Sequence, residues 1–408
     1  MLSVDEALAR IEEVARPKTA TRMPMAECLG LVLAEDVASD VDSPPHDKSI
    51  VDGYAVTAAD LAGGEACLTV LEEVVAGKLP TRRVERGTAT RIMTGAPLPE
   101  GAEAVVMVEQ TELETDAGGP LGQVQIRTTK FSAGQNIMRR AASLRQGDVV
   151  LRAGRVLRPI EIGLLAEVGR TEVLAIPRPA VAVLPTGDEL VEPRERPGPG
   201  QIRNSNGPML AASIRRAGGV PIELGIGRDE RGTLSEQIAA GLQADVLLLS
   251  GGVSAGVLDL VPELLVELGV RKVFHKVSLK PGKPLWFGTL ARGETQTLVF
   301  GLPGNPVSSL VCFELFVRPT LARLAGRPFA GLSAVRARLT TEFLPRGERS
   351  TYHPALLAYS AAGAAIEPLA WKGSADLRGL SAANALVYFP AGDRTFHAGD
   401  WVDAFPLE

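Results

Sequence analysis

A glycine-rich loop follows a short apolar run near the middle of the chain, and this junction is the stretch best suited to bind an anion. Val246 to Leu249 is unbroken and apolar, which is typical of a strand buried on both faces. Ser250, Gly251 and Gly252 end the run, and leucines at helical spacing begin at Leu260. Glycines let backbone N–H groups approach an anion, and a helix N-terminus adds its positive dipole end. The pattern predicts a strand, a phosphate-binding loop and a helix, although a plain strand-to-helix turn has the same signature.

An aspartate at the end of this loop suggests a metal ion. Asp259 stands where a helix N-cap is expected, and Pro262 falls in the first turn, where its missing N–H costs nothing. A carboxylate beside a phosphate repels it unless a divalent cation lies between them. The loop and Asp259 together therefore predict a phosphate with Mg²⁺, and a capping role for the aspartate alone is the alternative.

The region from 178 to 325 alternates strand patterns with helical ones, which is typical of a doubly wound parallel sheet. The predicted strands are Ala180–Leu184, Val220–Ile226, Asp245–Leu249, Val273–Val277 and Thr297–Gly301, with helices near 207–217, 233–243, 259–268 and 306–323. Ligands of such sheets bind at the carboxyl ends of the strands. Polar clusters follow four of the strands, and they are Thr186 to Glu189, Arg228 with Asp229, Ser250 to Ser254, and Pro303 to Pro306. We expect one binding edge that carries all four.

Two lysines lie on a proline-rich loop just after the fourth predicted strand. Lys280 and Lys283 are separated by Pro281 and Gly282 and followed by Pro284. Lysines usually only solvate a surface, but a pair restrained by prolines beside an acidic rim favours oxyanion binding. The loop is therefore a candidate oxyanion site.

The composition excludes several classes of protein. At 408 residues the chain is too long for one core. Its net charge of −5, without a basic stripe to offset it, argues against nucleic acid as the main partner. The three cysteines and four histidines are too scattered for a disulfide framework or a zinc site, which favours a reducing cytoplasm. No uncharged apolar run is long enough to span a membrane, and residues 1–16 are amphipathic rather than signal-like. We expect a cytoplasmic protein without nucleic-acid or membrane partners.

Taken together, these segments resemble the molybdopterin molybdenumtransferase family, which comprises the MoeA proteins and the E domain of gephyrin. The matching motifs are SIVDGYA (49–55), RIMTGAP (91–97), PTGDEL (185–190), SGGVS (250–254), KPGKP (280–284) and GLPGNP (301–306). Six motifs in the family's order cover almost the whole chain, which makes the match far more specific than a single glycine loop.

The resemblance implies a multidomain α/β and β fold. It contains a doubly wound, mostly parallel α/β domain of the molybdopterin-binding type, a discontinuous small helical domain and two β-rich domains. The expected domains are 1–40 with 143–177 (helical), 41–142 (β-rich), 178–326 (α/β) and 327–408 (small, β-rich). It also implies a homodimer, with an adenylyltransferase and cofactor-accepting molybdoenzymes as candidate partners.

The implied reaction inserts molybdate into adenylylated molybdopterin with Mg²⁺ and releases AMP. Catalytic positions carried over from the family motifs are Asp52, Thr94, Glu189, Asp229 and Asp259, of which Asp259 and Asp229 are the metal candidates. Binding positions are Thr186, Gly187, Ser250, Gly251, Gly252 and Ser254 for the pterin nucleotide, with Pro303 and Pro306 beside them. Lys280 and Lys283 match lysines expected near molybdate, and Arg349 and Ser374 align with anion ligands nearer the C-terminus.

Two departures from the family pattern leave alternatives open. Lys48 stands where the family usually has Asn, and Arg140-Ala141-Ala142-Ser143 replaces a typical Arg-Gly-Glu-Asp. The loss of two acidic side chains slightly favours a catalytically weak paralogue that acts as a pterin-nucleotide carrier or scaffold. The retained carboxylates oppose this alternative more strongly, and they are Asp52, Glu189, Asp229 and Asp259. A stand-alone molybdopterin adenylyltransferase is a further alternative, although it would not need the β-rich regions. Tungstate in place of molybdate also remains open, because the two oxyanions are alike in size and charge.

Overall fold

The computed structural model describes residues 1–115, 121–128, 131–252, 260–345 and 347–407. The chain divides into two compact units. The first comprises Met1–Met23, Gly30–Ala34 and Leu174–Glu408, and the second comprises Pro24–Leu29 and Glu35–Val173. None of the helices in the described ranges is long and apolar enough to cross a membrane.

The helices of the described residues are short. They are α1 (Val4–Val14), α2 (Pro159–Glu167), α3 (Asn206–Arg216), α4 (Arg231–Gly241), α5 (Leu260–Glu267), α6 (Pro306–Cys312), α7 (Arg318–Leu324) and α8 (Leu377–Ser381), with a π-helical turn at Phe313–Val317 and 3₁₀ turns at Met25–Glu27, Ala58–Leu61 and Val108–Gln110.

The strands fall into several sheets. The first half of the chain has β1 (Thr21–Pro24), β2 (Val32–Leu33), β3 (Val37–Ala38), β4 (Lys48–Ser49), β5 (Gly53–Val56), β6 (Glu65–Val74), β7 (Thr88–Ile92), β8 (Ala104–Met107), β9 (Thr111–Glu114), β10 (Gln123–Arg127), β11 (Ile137–Met138), β12 (Val149–Leu151) and β13 (Glu172–Ile176). The second half has β14 (Ala180–Pro185), β15 (Leu190–Val191), β16 (Ile202–Arg203), β17 (Val220–Glu223), β18 (Val246–Ser250), β19 (Arg271–His275), β20 (Leu279–Lys280), β21 (Trp286–Arg292), β22 (Thr295–Leu302), β23 (Val335–Leu339), β24 (Ser350–Ser360), β25 (Gly363–Pro368), β26 (Ala385–Phe389) and β27 (Trp401–Pro406).

The first unit is built on a six-stranded sheet in the order β17-β14-β18-β22-β21-β19. The first four strands are parallel, which confirms the predicted mostly parallel α/β domain. Every residue of β18 is buried, as its unbroken apolar run predicts, and α1 adds Val4, Ala7 and Ile11 to the same core. The carboxyl ends of three strands lie level, because Pro185 pairs with Ser250 and Ser250 pairs with Leu302. The polar segments that follow these strands therefore meet at one edge.

The far side of this sheet corrects the prediction of uninterrupted strand–helix alternation. The strand predicted at Val273–Val277 is β19, and it runs antiparallel to β21, which the sequence reading missed. β21 in turn forms an antiparallel hairpin with β22, in which Arg292 pairs with Thr295. A hairpin needs only a short turn, so no helical pattern separates these two strands in the sequence. Without that separation, β21 could not be recognised as a strand of its own.

The helix predicted near 306–323 is interrupted. α6 passes into the π-helical turn and then into α7, whose second residue is Pro319 and therefore has no N–H to donate. Glu314 lies on the π-helical turn with its side chain 1% exposed, paired with Arg216 and Arg318. The interruption thus carries a buried ion cluster, which the helical spacing of apolar residues does not reveal.

The C-terminal part of the first unit is a closed six-stranded sheet in the order β20-β24-β25-β23-β27-β26, with β24 also paired to β26. β20 comes from the α/β segment, and it joins this sheet because Leu279 pairs with Ser350 and Lys280 with Thr351. The second unit contains a separate six-stranded sheet in the order β8-β5-β7-β6-β10-β9. These sheets confirm the two predicted β-rich regions, and the four domain boundaries stay a prediction.

Candidate active site

An asparagine at the start of α3 joins two loops of the parallel-sheet edge. The side-chain amide nitrogen of Asn206 donates to Ser250 Oγ at 2.7 Å and to the carbonyl oxygen of Gly304 at 2.7 Å. Asn206 and Ser250 are both buried. The end of β18 and the Pro303-to-Pro306 loop are therefore held together by one side chain, which the sequence analysis did not select. Its position next to the start of the helix predicted near 207–217 is the signal that was available.

The two glycines after Ser250 have backbones that disfavour other residues. Gly251 has φ +99° and Gly252 has φ +62°. A Cβ on Gly251 would lie 2.5 Å from the carbonyl oxygen of Thr186, and one on Gly252 would lie 2.9 Å from Thr186 Oγ1. The Gly251 N–H donates to the carbonyl oxygen of Leu302. This glycine therefore allows its backbone to pack closely against Thr186, but it offers no free N–H donor.

Thr186 lies beneath this loop and leaves one polar atom unused. Its N–H donates to the carbonyl oxygen of Ser250 at 2.9 Å. Thr186 is 2% exposed, and its Oγ1 has no hydrogen-bond partner within the described part of the chain. Buried hydroxyls in native proteins are nearly always hydrogen-bonded, so an unpartnered hydroxyl beside a glycine loop marks a place where a ligand can bind.

Carboxylates form the rim of the same edge. The N–H of Asp229 donates to Asp188 Oδ1 at 3.1 Å, and a Cβ on Gly187 would lie 2.4 Å from Glu189 Oε2. Arg228 Nη1 donates to the carbonyl oxygens of Asp188 at 3.1 Å and Leu190 at 2.8 Å, which ties the segments after β14 and β17 together. The structure thus brings the predicted residues Gly187, Glu189 and Asp229 to one rim.

The fourth predicted segment meets a residue from the C-terminal sheet region. Asn305 Nδ2 donates to Ser374 Oγ at 3.0 Å, and the N–H of Val307 donates to the carbonyl oxygen of Ser374 at 3.1 Å. Pro303 and Pro306 flank this contact on either side of Asn305. Ser374 is therefore connected to the sheet edge through the loop that Asn206 also holds.

Three predicted cationic residues line one cavity. Lys280, Lys283 and Arg349 surround a space of about 290 Å³, together with Glu348, Met1 and Gly347. Arg349 Nη1 donates to the carbonyl oxygen of Leu279 at 3.0 Å, which holds the guanidinium beside β20. Among the described residues of the lining, three positive side chains face one negative side chain, so the cavity carries excess positive charge. This arrangement suits a small oxyanion.

Asp52 and Thr94 are hydrogen-bonded to each other in the second unit. Asp52 Oδ1 accepts from the Thr94 N–H at 2.7 Å and from Thr94 Oγ1 at 2.8 Å. The backbone hydrogen bond, followed by the hydroxyl one, holds the pKa of Asp52 below its ordinary value, so the carboxylate is ionised at neutral pH. The two predicted residues therefore act as one exposed anionic group. The predicted residues Ser254 and Asp259 lie outside the described residues.

The loop that departs from the family pattern keeps an unusual backbone. Ala141, at the position of the family glycine, has φ +58°, a left-handed conformation that favours glycine. Arg140 pairs with Asp42, and its N–H donates to Asp47 Oδ1 at 2.7 Å. Asp42 and Asp47 therefore hold this loop through Arg140.

Comparisons with known proteins cover the whole chain. Three family models match in order: the MoeA N-terminal region (domain I and II) over residues 2–169, a probable molybdopterin binding domain over 182–323, and the MoeA C-terminal region (domain IV) over 336–407. A molybdopterin molybdenumtransferase of Staphylococcus aureus is 34% identical over 416 residues, covering 100% of this chain and 96% of the relative. One from Staphylococcus epidermidis is 33% identical over the same coverage.

A solved structure agrees with this match. The crystal structure of a molybdopterin biosynthesis MoeA protein from Pyrococcus horikoshii superposes with a TM-score of 0.83 at 30% identity, covering 100% of this chain and 99% of that one. Three consecutive family models, full-length relatives and a full-length structural match agree with the six motifs, and the chain therefore belongs to the MoeA family of molybdopterin molybdenumtransferases.

Proposed function

We propose that this molybdopterin molybdenumtransferase of molybdenum cofactor biosynthesis inserts molybdate into adenylylated molybdopterin, uses Mg²⁺, and releases AMP. The named activity of the full-length relatives supports the enzyme class. The observation that carries the proposal for this chain is the cavity lined by Lys280, Lys283 and Arg349. Its excess positive charge would hold a dianionic oxyanion such as molybdate.

The glycine loop is the proposed site of the nucleotide phosphates. Gly251 and Gly252 present a bare backbone, and beside them Thr186 Oγ1 has no hydrogen-bond partner among the described residues. Ser250 Oγ accepts the amide hydrogen of Asn206 and retains its own hydroxyl hydrogen for donation. Neutralising charge on the bridging and leaving oxygens is what cleavage of a phosphoanhydride requires.

The donor set of the sheet edge suits Mg²⁺. Mg²⁺ is typically bound through one or two carboxylates, with water and substrate phosphate oxygens completing its shell. Among the described residues no group of three or more His, Cys, Asp or Glu side chains is placed to hold a metal, whereas the carboxylates on the rim offer the hard oxygens that Mg²⁺ prefers. The family resemblance leads us to assign the ion to Asp229 and Asp259, where its charge would stabilise the leaving phosphate.

A substitution in the cavity tests this proposal. Lys283→Ala is expected to lower molybdate-dependent AMP release by about 100-fold, the usual effect of removing one preorganised electrostatic group. Lys272→Ala, which removes an exposed lysine of β19 from the same unit, serves as the matched control. Isothermal titration with molybdate should show the same contrast. A wild-type rate of AMP release in Lys283→Ala would show that the cavity takes no part in the reaction.

The same assays separate the alternatives that the sequence leaves open. A pterin-nucleotide carrier would bind adenylylated molybdopterin without releasing AMP, and the Ala142 and Ser143 replacements are the feature that favours it. An adenylyltransferase would instead consume ATP and molybdopterin. Competition between tungstate and molybdate in the titration decides the preferred oxyanion.

The family resemblance also leads us to propose a cytoplasmic homodimer, with an adenylyltransferase and cofactor-accepting molybdoenzymes as partner proteins. The three cysteines are free thiols, which supports a reducing compartment. Analytical ultracentrifugation should find a species of twice the chain mass, and a monomer at micromolar concentration would refute the dimer.

A further inference from the structure

A buried histidine lies between the two chain segments that carry the cavity and Ser374. His353 is on β24 and is 6% exposed. Its Nε2 lies 2.8 Å from the carbonyl oxygen of Leu369. Its ring packs edge-on against Trp371, with centroids 5.4 Å apart, and against Phe343 at 4.7 Å. The imidazole therefore holds the start of the segment that leads to Ser374.

The segment held by His353 is otherwise anchored at its far end. The N–H of Leu369 donates to the carbonyl oxygen of Pro354, and the N–H of Lys372 donates to Asp376 Oδ2 at 2.9 Å. Ser374 then reaches Asn305 at 3.0 Å. Between these anchors, the packing of Trp371 on the His353 ring is a side-chain contact that orients residues 369–374.

His353 is also close to the cationic cavity. His353 lies two residues after Thr351 on β24, so the side chains of His353 and Thr351 point to the same face of the strand. Thr351 is the residue that pairs with Lys280. The same strand begins next to Arg349. The His353 side chain thus contacts the Ser374 segment. The strand that bears it, β24, also pairs with β20 and so positions Lys280 and Arg349.

The hydrogen bond identifies the form of the imidazole. A carbonyl oxygen only accepts, so Nε2 must carry a hydrogen and donate it to Leu369. Burial lowers the pKa of His353, the hydrogen bond to Leu369 partly opposes this, and the positive charge of Lys280 lowers the pKa further. The ring is therefore neutral near pH 7 and acts as a hydrogen-bond donor and a packing surface.

We propose that His353 is a positioning residue of the oxyanion cavity, which orients the Ser374 segment relative to the strand that carries Lys280 and Arg349. The inference rests on the proposed function of the cavity. Because the imidazole acts through other residues, it sets oxyanion affinity rather than the rate of the chemical step.

Two substitutions separate the hydrogen bond from the ring. His353→Phe keeps an aromatic surface for Trp371 but loses the donor, and we expect KM for molybdate to rise about tenfold with kcat within about twofold, since one buried hydrogen bond contributes roughly a factor of ten. His353→Gln can donate from its Nε2 at a similar reach, and it should restore KM to within about threefold of the wild type.

A control distinguishes positioning from general stability. Leu357→Ala removes a buried side chain from the same strand and the core of the same sheet, so it should lower Tm without raising KM. A rise in KM for Leu357→Ala equal to that of His353→Phe would mean that His353 only stabilises the domain. An unchanged KM in His353→Phe would also overturn the inference.

Direct binding keeps this test independent of the proposed reaction. Isothermal titration with molybdate should show a tenfold loss of affinity for His353→Phe and a loss of about 100-fold for Lys283→Ala. If Lys283→Ala loses binding and His353→Phe does not, the positioning role fails and the cavity stands. If the wild-type protein binds no molybdate, the proposed function itself fails.

Discussion

Asn206 donates one side-chain amide to Ser250 Oγ at 2.7 Å and to the Gly304 carbonyl oxygen at 2.7 Å, so two loops of the sheet edge share a single buried anchor. Removing it would leave a hydroxyl and a carbonyl oxygen without their donor. We therefore treat Asn206 as part of the candidate site, although it lies outside the residues that the family motifs supplied.

Asn206→Ala should lower the free energy of unfolding by about 2 kcal/mol, because buried groups then lose their hydrogen bonds. It should also lower AMP release, because both loops can shift. Asn204→Ser is the matched control, since within the described residues Asn204 Oδ1 accepts one hydrogen bond, from the Gly207 N–H in the first turn of α3 at 3.0 Å. Urea unfolding and turnover would be measured on both, and equal activity losses would contradict a special role for Asn206.

Gly251→Ala should disrupt the loop more than an ordinary glycine substitution. Its Cβ would lie 2.5 Å from the backbone oxygen of Thr186, in addition to the strain of φ +99°. Gly293→Ala is the control, because that glycine has φ +60° and open space around it. We expect a cost of about 1 kcal/mol for Gly293→Ala from strain alone, and a larger loss, with loss of nucleotide binding, for Gly251→Ala. Similar Tm values and intact nucleotide binding in Gly251→Ala and Gly293→Ala would refute the close packing of Gly251 against Thr186.

Ala141→Gly should stabilise the second unit. The alanine has φ +58°, and a left-handed backbone costs a non-glycine residue about 1 kcal/mol. Part of this gain is offset because glycine also makes the unfolded chain more flexible. Thermal unfolding should show a higher Tm for the variant, with Ala142→Gly as the control next to it. A lower Tm for Ala141→Gly would mean that the loop relaxes around the alanine.

The Asp52–Thr94 pair predicts a pH dependence. The pKa of Asp52 is lowered by the Thr94 N–H and hydroxyl, so the pair contributes stability above the ordinary aspartate pKa, and this is lost as pH falls through the lowered value. Thr94→Val removes the hydroxyl but keeps the N–H. Carboxyl NMR titration should therefore find a higher pKa for Asp52 in Thr94→Val, and an unchanged pKa would show that the hydroxyl bond is absent in solution.

The ion cluster at Glu314 predicts a dependence of the opposite sign. Burial raises the pKa of Glu314, while Arg216 and Arg318 oppose the rise, so stability from this group is lost as pH increases through its folded-state pKa. Arg216→Met leaves the carboxylate with Arg318 alone and should cost about 3 kcal/mol. Urea unfolding should show a larger deficit at pH 8 than at pH 5, and a deficit that shrinks with rising pH would be inconsistent with this account.

Local pattern was enough to predict the binding edge of the α/β sheet. An unbroken apolar run indicates a buried strand, and glycines with polar residues after it indicate a loop, because both depend on neighbours in sequence. Parallel strands expose their carboxyl ends together, so the segments after Pro185, Ser250 and Leu302 could be assigned to one edge from their order alone.

Contacts between distant residues could be predicted only in part. The family resemblance put Lys280 and Lys283 near molybdate and assigned Arg349 only to a C-terminal anion ligand. The pairing of β20 with β24 shows how these residues, about seventy positions apart, come together. The antiparallel β21, the π-helical turn at Glu314 and the two bonds of Asn206 have no periodic signature. Each depends on partners that become neighbours only when the chain has folded, because hydrogen-bond geometry and burial are properties of the packed structure rather than of a local segment.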